Sequence, residues 1–498
     1  MFSWIVELVC HDTILWTLCL GCVLFLIYWR GVASFSPLKN LPIPGPHPWP
    51  YIGNLPDIFK YGGMHNMLWE YSKKYGRVYK MAFGRRPTIV ITEPEMIKQI
   101  TIKEFAKFHN RWFPEVNQPI SSFLFIAKDE QWKRIRSTLS PTFSVTKLKE
   151  VIPLMDDAAD ILAGKLEEAA KTGKSTDVNP LFSLFALDVI ISAAFGTQGN
   201  IQINPDRDTV YKAKTVFRTP LWVRAFSMFP FSDYLSKKLN ISPINHTGYF
   251  LGLARAIYDL RKAQKTPSRR DLLQLMLEAQ QEEIEGGGRR LSDDEVSAQS
   301  VIFMVAGFET TGSVLSLLAY VLAKYPDIQD KLLKELDEAV KNRGEMPLYD
   351  FVNSLDYLDR VFCEVLRLYT PGFLVHRRCN EACTVNGIEI PFGVDVFMPP
   401  YVLHRDPVLW PDPEKFDPDR FSPGNREAQA AYSYMPFGIG PRQCIGFRFA
   451  LLEMKTAMFK ILSKVKFRTA ADTVSQLKFR SMLIMQPSDP IFLEIVAR

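Results

Sequence analysis

The sequence has no Lys/Arg tract of the kind that follows a phosphate backbone, and its formal charge of +6 is small for 498 residues. A nucleic-acid partner is therefore excluded. Cysteine is scarce, with seven in the whole chain, and an odd number so thinly spread does not build a disulfide scaffold. No repeat of fixed period runs through the chain, and it carries no NADPH or flavin fingerprint. What it does have is apolar side chain: 47% of residues are hydrophobic and 23% charged, enough to bury a sizeable core. At about 150 residues per domain, the length suggests roughly three domains.

The longest uncharged run is at the N-terminus. Thr13 to Trp29 reads TILWTLCLGCVLFLIYW and includes Cys19 and Cys22; as a helix it would rise about 26 Å, near the lower limit for crossing a bilayer core. Glu7 and Asp12 precede it and Arg30 and Lys39 follow, so the positive-inside rule places the rest of the chain on the cytosolic side. The n-region lacks Lys and Arg and no small-residue cleavage site stands out, which favours a retained anchor over a signal peptide. The stretch Leu41–Pro50 then places proline at alternate positions, a stiff, extended spacer. The expected division is an anchor over 1–30, a hinge over 31–50 and a body over 51–498.

The body reads as mainly α with smaller β-sheets at its two ends. Arg77 to Thr92 is a hairpin candidate around a Gly-Arg-Arg-Pro turn. Ser292 and Glu295 make a capping box, which opens a helix ending at Pro326. It would be about 45 Å long and is apolar nearly all round, so it should be buried. Short strands are expected after Asn386-Gly387, and LKFRSMLIM (477–485) and PIFLEIV (490–496) read as terminal strands.

The chemistry gathers at one cysteine. Phe437-Gly-Ile-Gly-Pro-Arg-Gln-Cys444-Ile-Gly446 is a glycine-rich loop that runs into a helix. Such a turn lets backbone amides face the sulfur, and a helix start beside it favours the thiolate. No second Cys or His stands at metal spacing, which argues against zinc and suits a single axial bond to a haem iron. A Rossmann loop would need Gly where Gln443 stands.

This decapeptide resembles the haem-binding signature of the cytochrome P450 superfamily, matched at Phe437, Gly438, Arg442, Cys444 and Gly446. Further motifs follow the family's order. Ala306-Gly-Phe-Glu309-Thr310-Thr311 alone reads as small-residue packing with a back-bonded threonine, with Gly307 permitting a local opening of the hydrogen-bond ladder. Beside the Cys loop it resembles the oxygen-activation motif, in which Thr310 would hold water and Glu309 would help relay protons. Glu364-Val-Leu-Arg367 could be only a surface ion pair; the resemblance buries it below the haem loop with Arg420. Trp132, Arg136, Arg111 and Arg442 resemble residues that hold haem propionates. Many relatives have a further arginine where Leu374 stands; either His376 or Arg377 takes over, or one propionate has fewer partners.

The resemblance implies haem b (iron protoporphyrin IX) with Cys444 as axial thiolate, and molecular oxygen as co-substrate. It implies a monooxygenase that hydroxylates or epoxidises lipophilic substrates such as steroids, fatty acids or xenobiotics. The layout is similar to the animal clan that holds the broad-specificity drug- and steroid-oxidising family and thromboxane synthase. Electrons would come from NADPH–cytochrome P450 reductase, with cytochrome b5 as a further donor, at the endoplasmic reticulum membrane. Lys128, Lys133, Arg134, Arg448 and Lys455 could form a basic docking face. Candidate pocket residues are Phe123, Phe226, Phe231, Phe303, Phe373, Leu374, Met482 and Leu483, and the Phe-rich segment 226–231 suits a contact dipping into the membrane surface. The rivals are a haem-thiolate isomerase acting on a lipid peroxide, against which Thr310 counts, and a non-enzymatic haem protein that binds ligands.

Overall fold

The computed structural model describes residues 2–195, 201–216, 218–226, 231–263, 271–285, 291–481 and 484–498. Among the described residues three helices are long and apolar enough to cross a membrane, and burial separates them. The window in Leu15–Ala33 is 6% buried, whereas those in Val178–Phe195 and Asp293–Lys324 are 72% and 78% buried. The first is almost wholly exposed and is a candidate membrane anchor; the other two pack on each other and form the middle of the main core.

The central helix, Asp293–Lys324, begins as its sequence dictates. Ser292 accepts from the Glu295 amide and the Glu295 carboxylate accepts from the Ser292 amide, a complete capping box. Its hydrogen-bond ladder stays helical through Gly307, where an opening was expected. The physical reason for glycine is lateral: a Cβ there would lie 3.1 Å from Ile190 Cγ1 on helix Val178–Phe195.

A mixed sheet lies at one end of the body. Strands β1 (Val78–Phe83) and β2 (Arg86–Ile91) form the expected hairpin. The strands β3 (Val375–Arg378) and β4 (Asp395–Met398) complete it in the order β1-β2-β4-β3. Strand β4 runs parallel to β2, pairing Thr88 with Asp395, and antiparallel to β3, pairing Arg377 with Val396. At the other end Phe492–Ala497 sits between Ser175–Asp177 and Val465–Thr469. The segment 477–485, expected as one strand, instead folds back: Phe479–Ser481 pairs antiparallel with Met485–Pro487.

The anchor meets the body at one aromatic ring. Tyr51 Oη donates to the Ile27 carbonyl at 2.7 Å, and a Cβ on Gly31 would lie 2.7 Å from that ring.

Helix Asp356–Leu368 carries the Glu-x-x-Arg pair. Arg367 donates to Glu364 at 2.7 and 2.8 Å, and both side chains are 0% exposed. Glu364 also accepts from the Asp417 amide at 2.9 Å and faces Arg420 Nε at 3.5 Å. Arg367 further donates to His404 O. The His404 ring joins this group to the segment before the cysteine loop: Nε2 accepts from the Met435 amide at 2.9 Å, which leaves Nδ1 to donate to Arg367 O at 3.1 Å.

Candidate active site

The cysteine loop is shaped by two glycines in the left-handed region, Gly438 at φ +72° and Gly440 at φ +73°. At Gly440 no side chain is possible, because a Cβ would fall 2.2 Å from the Thr101 carbonyl oxygen. The turn closes when the Cys444 amide donates to Phe437 O at 2.9 Å, just before the helix Phe447–Leu462 begins. Protein surrounds Cys444 on all sides, yet its side chain is exposed, because it opens onto an interior cavity of about 530 Å³. Burial pushes its thiol up, opposed by the Gly446 amide and by the charges of Arg136 and Arg111.

Besides Arg86, which is paired with Asp395, four guanidinium groups border the same cavity: Arg111, Arg136, Arg377 and Arg442. Each comes from a different element. Arg136 is on helix Asp129–Leu139, Arg377 on β3, Arg442 in the cysteine loop, and Arg111 in the extended segment before that helix. Arg442 stacks on Trp132 at 4.1 Å and donates to the carbonyls of His109 and Ala127. Arg111 lies over Phe125 and donates to Arg442 O at 3.1 Å. None of the four has a carboxylate partner among the described residues. Burial and mutual repulsion pull Arg111 down to about 10 and Arg442 to about 7, and hold Arg377 well below its ordinary value.

Arg377, like His376, borders the cavity beside Leu374. It is 0% exposed, and its Nε and Nη2 have no hydrogen-bond partner among the described residues. His376 is otherwise engaged, with Nε2 at 3.0 Å from Trp112 O and the ring held neutral by burial and by Arg111, at about 3. Leu374 contributes an apolar wall.

These features together test what the cavity fits. Buried cations of one sign, with orphaned donors, call for an anion. Guanidinium forks match carboxylates, and a lone sulfur opposite an apolar helix face suits one bond to a metal in a flat apolar ring. A haem with two propionates has this chemistry, and the residues present fit it.

The upper wall belongs to the central helix. Phe303, Ala306, Gly307, Thr310 and Thr311 line the cavity. Thr310 Oγ1 donates to Ala306 O at 2.7 Å, so its hydroxyl is back-bonded within the helix. Glu309 does not line the cavity. One residue earlier, it lies about 100° around the helix, and it accepts from Gln486.

The expected pocket residues divide. Phe303, Phe373 and Leu374 line the cavity. Phe123 does not: it is 0% exposed in the core behind the wall, and the next two residues, Leu124 and Phe125, face inward instead. Phe226, at the end of the short helix Leu221–Phe226, is half-buried away from the cavity, and Phe231 is 71% exposed on the surface. Met482 and Leu483 lie outside the described residues, as does most of the Phe-rich segment; their neighbour Ile484 lines the cavity.

Of the cations expected in a basic docking face, the structure withdraws Lys455 by burial and pairs most of the others. Lys455 is 5% exposed and bonded to Asp359 at 2.9 Å, Arg134 is committed to Glu295, and Lys128 holds Glu115 at 2.8 Å. Of the five cations, Arg448 alone has no carboxylate partner among the described residues.

Two cavity features escaped the sequence. Arg86 and Asp395 form an ion pair at 3.0 Å across β2 and β4, with the guanidinium stacked 3.1 Å over Trp112. Glu453, on the helix after Cys444, puts a carboxyl group in the wall. Only cross-strand register could have signalled the first, and only the helical spacing of 453 from 446 and 449 the second.

The sequence matches the Cytochrome P450 family model over residues 43–495. It is 39% identical to cytochrome P450 3A41 of Mus musculus, covering 97% of this chain and 96% of that one. Cytochrome P450 3A16 of Mus musculus is 40% identical, over 96% of each chain, and cytochrome P450 3A9 of Rattus norvegicus 38%, over 95% of each. With that match running from the proline-rich segment to the last strand, through the cysteine loop and its arginines, the chain belongs to the cytochrome P450 family and is one of its monooxygenases.

Proposed function

We propose that the cavity holds haem b with Cys444 as the axial ligand, and that the enzyme hydroxylates or epoxidises steroids, fatty acids or xenobiotics at the endoplasmic reticulum membrane. The observation that carries this reading is the pairing of one cavity-facing thiol with four guanidiniums at the cavity wall, two of them buried, that no carboxylate among the described residues answers. When bound, the haem supplies the activation of dioxygen. The rest is the work of the chain. Arg111, Arg136, Arg377 and Arg442, with Trp132, would hold the propionates. The Gly446 amide stabilises the Cys444 thiolate. Phe303, Ala306, Phe373 and Leu374 would exclude water and orient an apolar substrate. The Thr310 hydroxyl, donating to Ala306, keeps acceptor lone pairs that a water molecule could use.

Residues 1–30 are the anchor, 31–50 the hinge and 51–498 the haem domain in this reading, with the domain on the cytosolic face. Electrons are supplied by NADPH–cytochrome P450 reductase, with cytochrome b5 as a further donor. The test is the absorbance of the reduced, carbon-monoxide-bound protein. A strongly red-shifted Soret band is expected, with loss of that band and of turnover in Cys444→Ala. An imidazole-type band in the folded protein overturns the assignment.

A further inference from the structure

One cation in the cavity wall stands outside the set assigned to the propionates. Arg86 opens strand β2, and Asp395 opens the neighbouring strand β4. Arg86 Nη1 donates to Asp395 Oδ2 at 3.0 Å, and the guanidinium carbon lies 3.1 Å from the centre of the Trp112 ring. Carboxylate and indole together fix the plane of the guanidinium. The pair borders the cavity among the apolar side chains of Met64, Phe83 and Phe397.

The fork of Arg86 is only half used. Among the described residues it makes one hydrogen bond, through Nη1, so the edge formed by Nε and Nη2 is left over. With that same edge Arg367 grips both oxygens of Glu364, the geometry in which a guanidinium takes a carboxylate bidentately. Asp395 is 3% exposed, whereas 21% of the Arg86 side chain is open, so the accessible part of the pair is the cation. Donors left over in an apolar wall call for an acceptor. Arg86 is also electrostatically apart from the haem side. Arg136 and Arg111 act on the Cys444 thiol, and Arg111 on Arg377, but Arg86 acts on neither. Besides Asp395, the charges that face it are Arg378 and Asp233, and His376 nearby is neutral. Burial lowers Arg86 to about 10, which leaves it charged at neutral pH.

We propose that Arg86 anchors the acid end of the substrate, so that the cavity selects lipophilic molecules carrying a carboxylate at one end of an apolar body. Trp112 and Asp395 are positioning residues. They hold the fork in one plane, and the negative charge of Asp395 limits how tightly an acid is held. Phe303, Phe373 and Leu374 take the apolar body. Because Arg86 stands apart from Cys444, oxidation falls on that body and the carboxylate leaves unchanged. The inference rests on the haem-thiolate reading, whose failure would show separately as a wild-type protein without the red-shifted carbon-monoxide band.

The test titrates the full-length, haem-loaded protein with palmitate and methyl palmitate, and with cholanic acid and its methyl ester, reading the substrate-induced Soret shift. At least one acid should bind about tenfold tighter than its ester, and which one does so tells a chain-like body from a ring system. In R86L the Kd of that acid should rise about tenfold to a hundredfold, the worth of hydrogen bonds to a charged group, while that of the ester stays within about twofold. D395N removes the competing negative charge and should tighten the acid without moving the ester. Should R86L fail to fold, R86K keeps the charge and loses the fork, and the acid should weaken relative to its ester. Equal affinity of acid and ester in the wild type, no shift with either acid, or parallel changes of acid and ester in the variants overturns the proposal.

Discussion

Two sets of arginines lie near the cysteine loop, and their charges are handled in opposite ways. Below the loop, Arg367 is matched in full by Glu364, the His404 carbonyl and nearby backbone. Around the cavity, Arg111, Arg136, Arg377 and Arg442 face one another without an acid, and each is pushed below its ordinary value. Burying a charge costs several kcal/mol unless something answers it. The first group is answered inside the chain, so it builds structure. The second is answered by no carboxylate among the described residues, which is why the proposed reading gives it an anionic ligand.

The strongest way to break this contrast is to remove an acid from the matched group. Glu364→Ala should strand Arg367 and cost about 3–5 kcal/mol. It should appear in denaturant unfolding and as loss of folded, haem-binding protein; wild-type stability would mean the pair is ornamental. The same operation in the unmatched group has a different outcome. Arg377→Leu removes a guanidinium whose Nε and Nη2 are already unpaired, so the haem-free fold should lose no stability. Haem retention should weaken by about 1.5–3 kcal/mol, the worth of a hydrogen bond to a charged group, read as faster transfer of haem to an acceptor protein. Equal destabilisation of both forms would erase the distinction.

The smallest effect sharpens the matched side by pH. Burial and the nearby charges of Arg367 and Arg405 lower His404 from 6.5 to about 3, and both ring nitrogens are committed as a neutral tautomer. Between those values the unfolded ring binds a proton and the folded ring does not, so stability declines as pH falls below 6.5 and is unaffected above it. The expected loss from pH 6.5 to 5.5 is about 1 kcal/mol. Thermal midpoints across that window should fall in the wild type and flatten in His404→Gln.

Local pattern carried far in this chain, and its limits are physical. The capping box at Ser292, the hairpin at 78–91 and the cysteine loop are written in neighbouring residues, so they were legible. Which face of an element looks inward depends on distant partners. His376 and Arg377 are adjacent on a strand, and only the bond to Trp112 shows which is spent elsewhere. Glu309 reads as part of an acid–alcohol pair until Gln486, from the far end of the chain, takes its carboxyl. Lys455 reads as a surface cation, yet the helix turns it inward to Asp359.

The bond from Tyr51 to the end of the anchor helix has a consequence for where substrate comes from. A body tethered by proline-rich chain alone could swivel above the lipid and sample every depth of it. With one phenol latched to the Ile27 carbonyl and the ring seated against Gly31, the helix axis gives the body a compass bearing. Were that helix to cross a bilayer, the latch would hold the cavity at one height and one tilt over it, and lipophilic molecules would reach it from a single stratum of acyl chain.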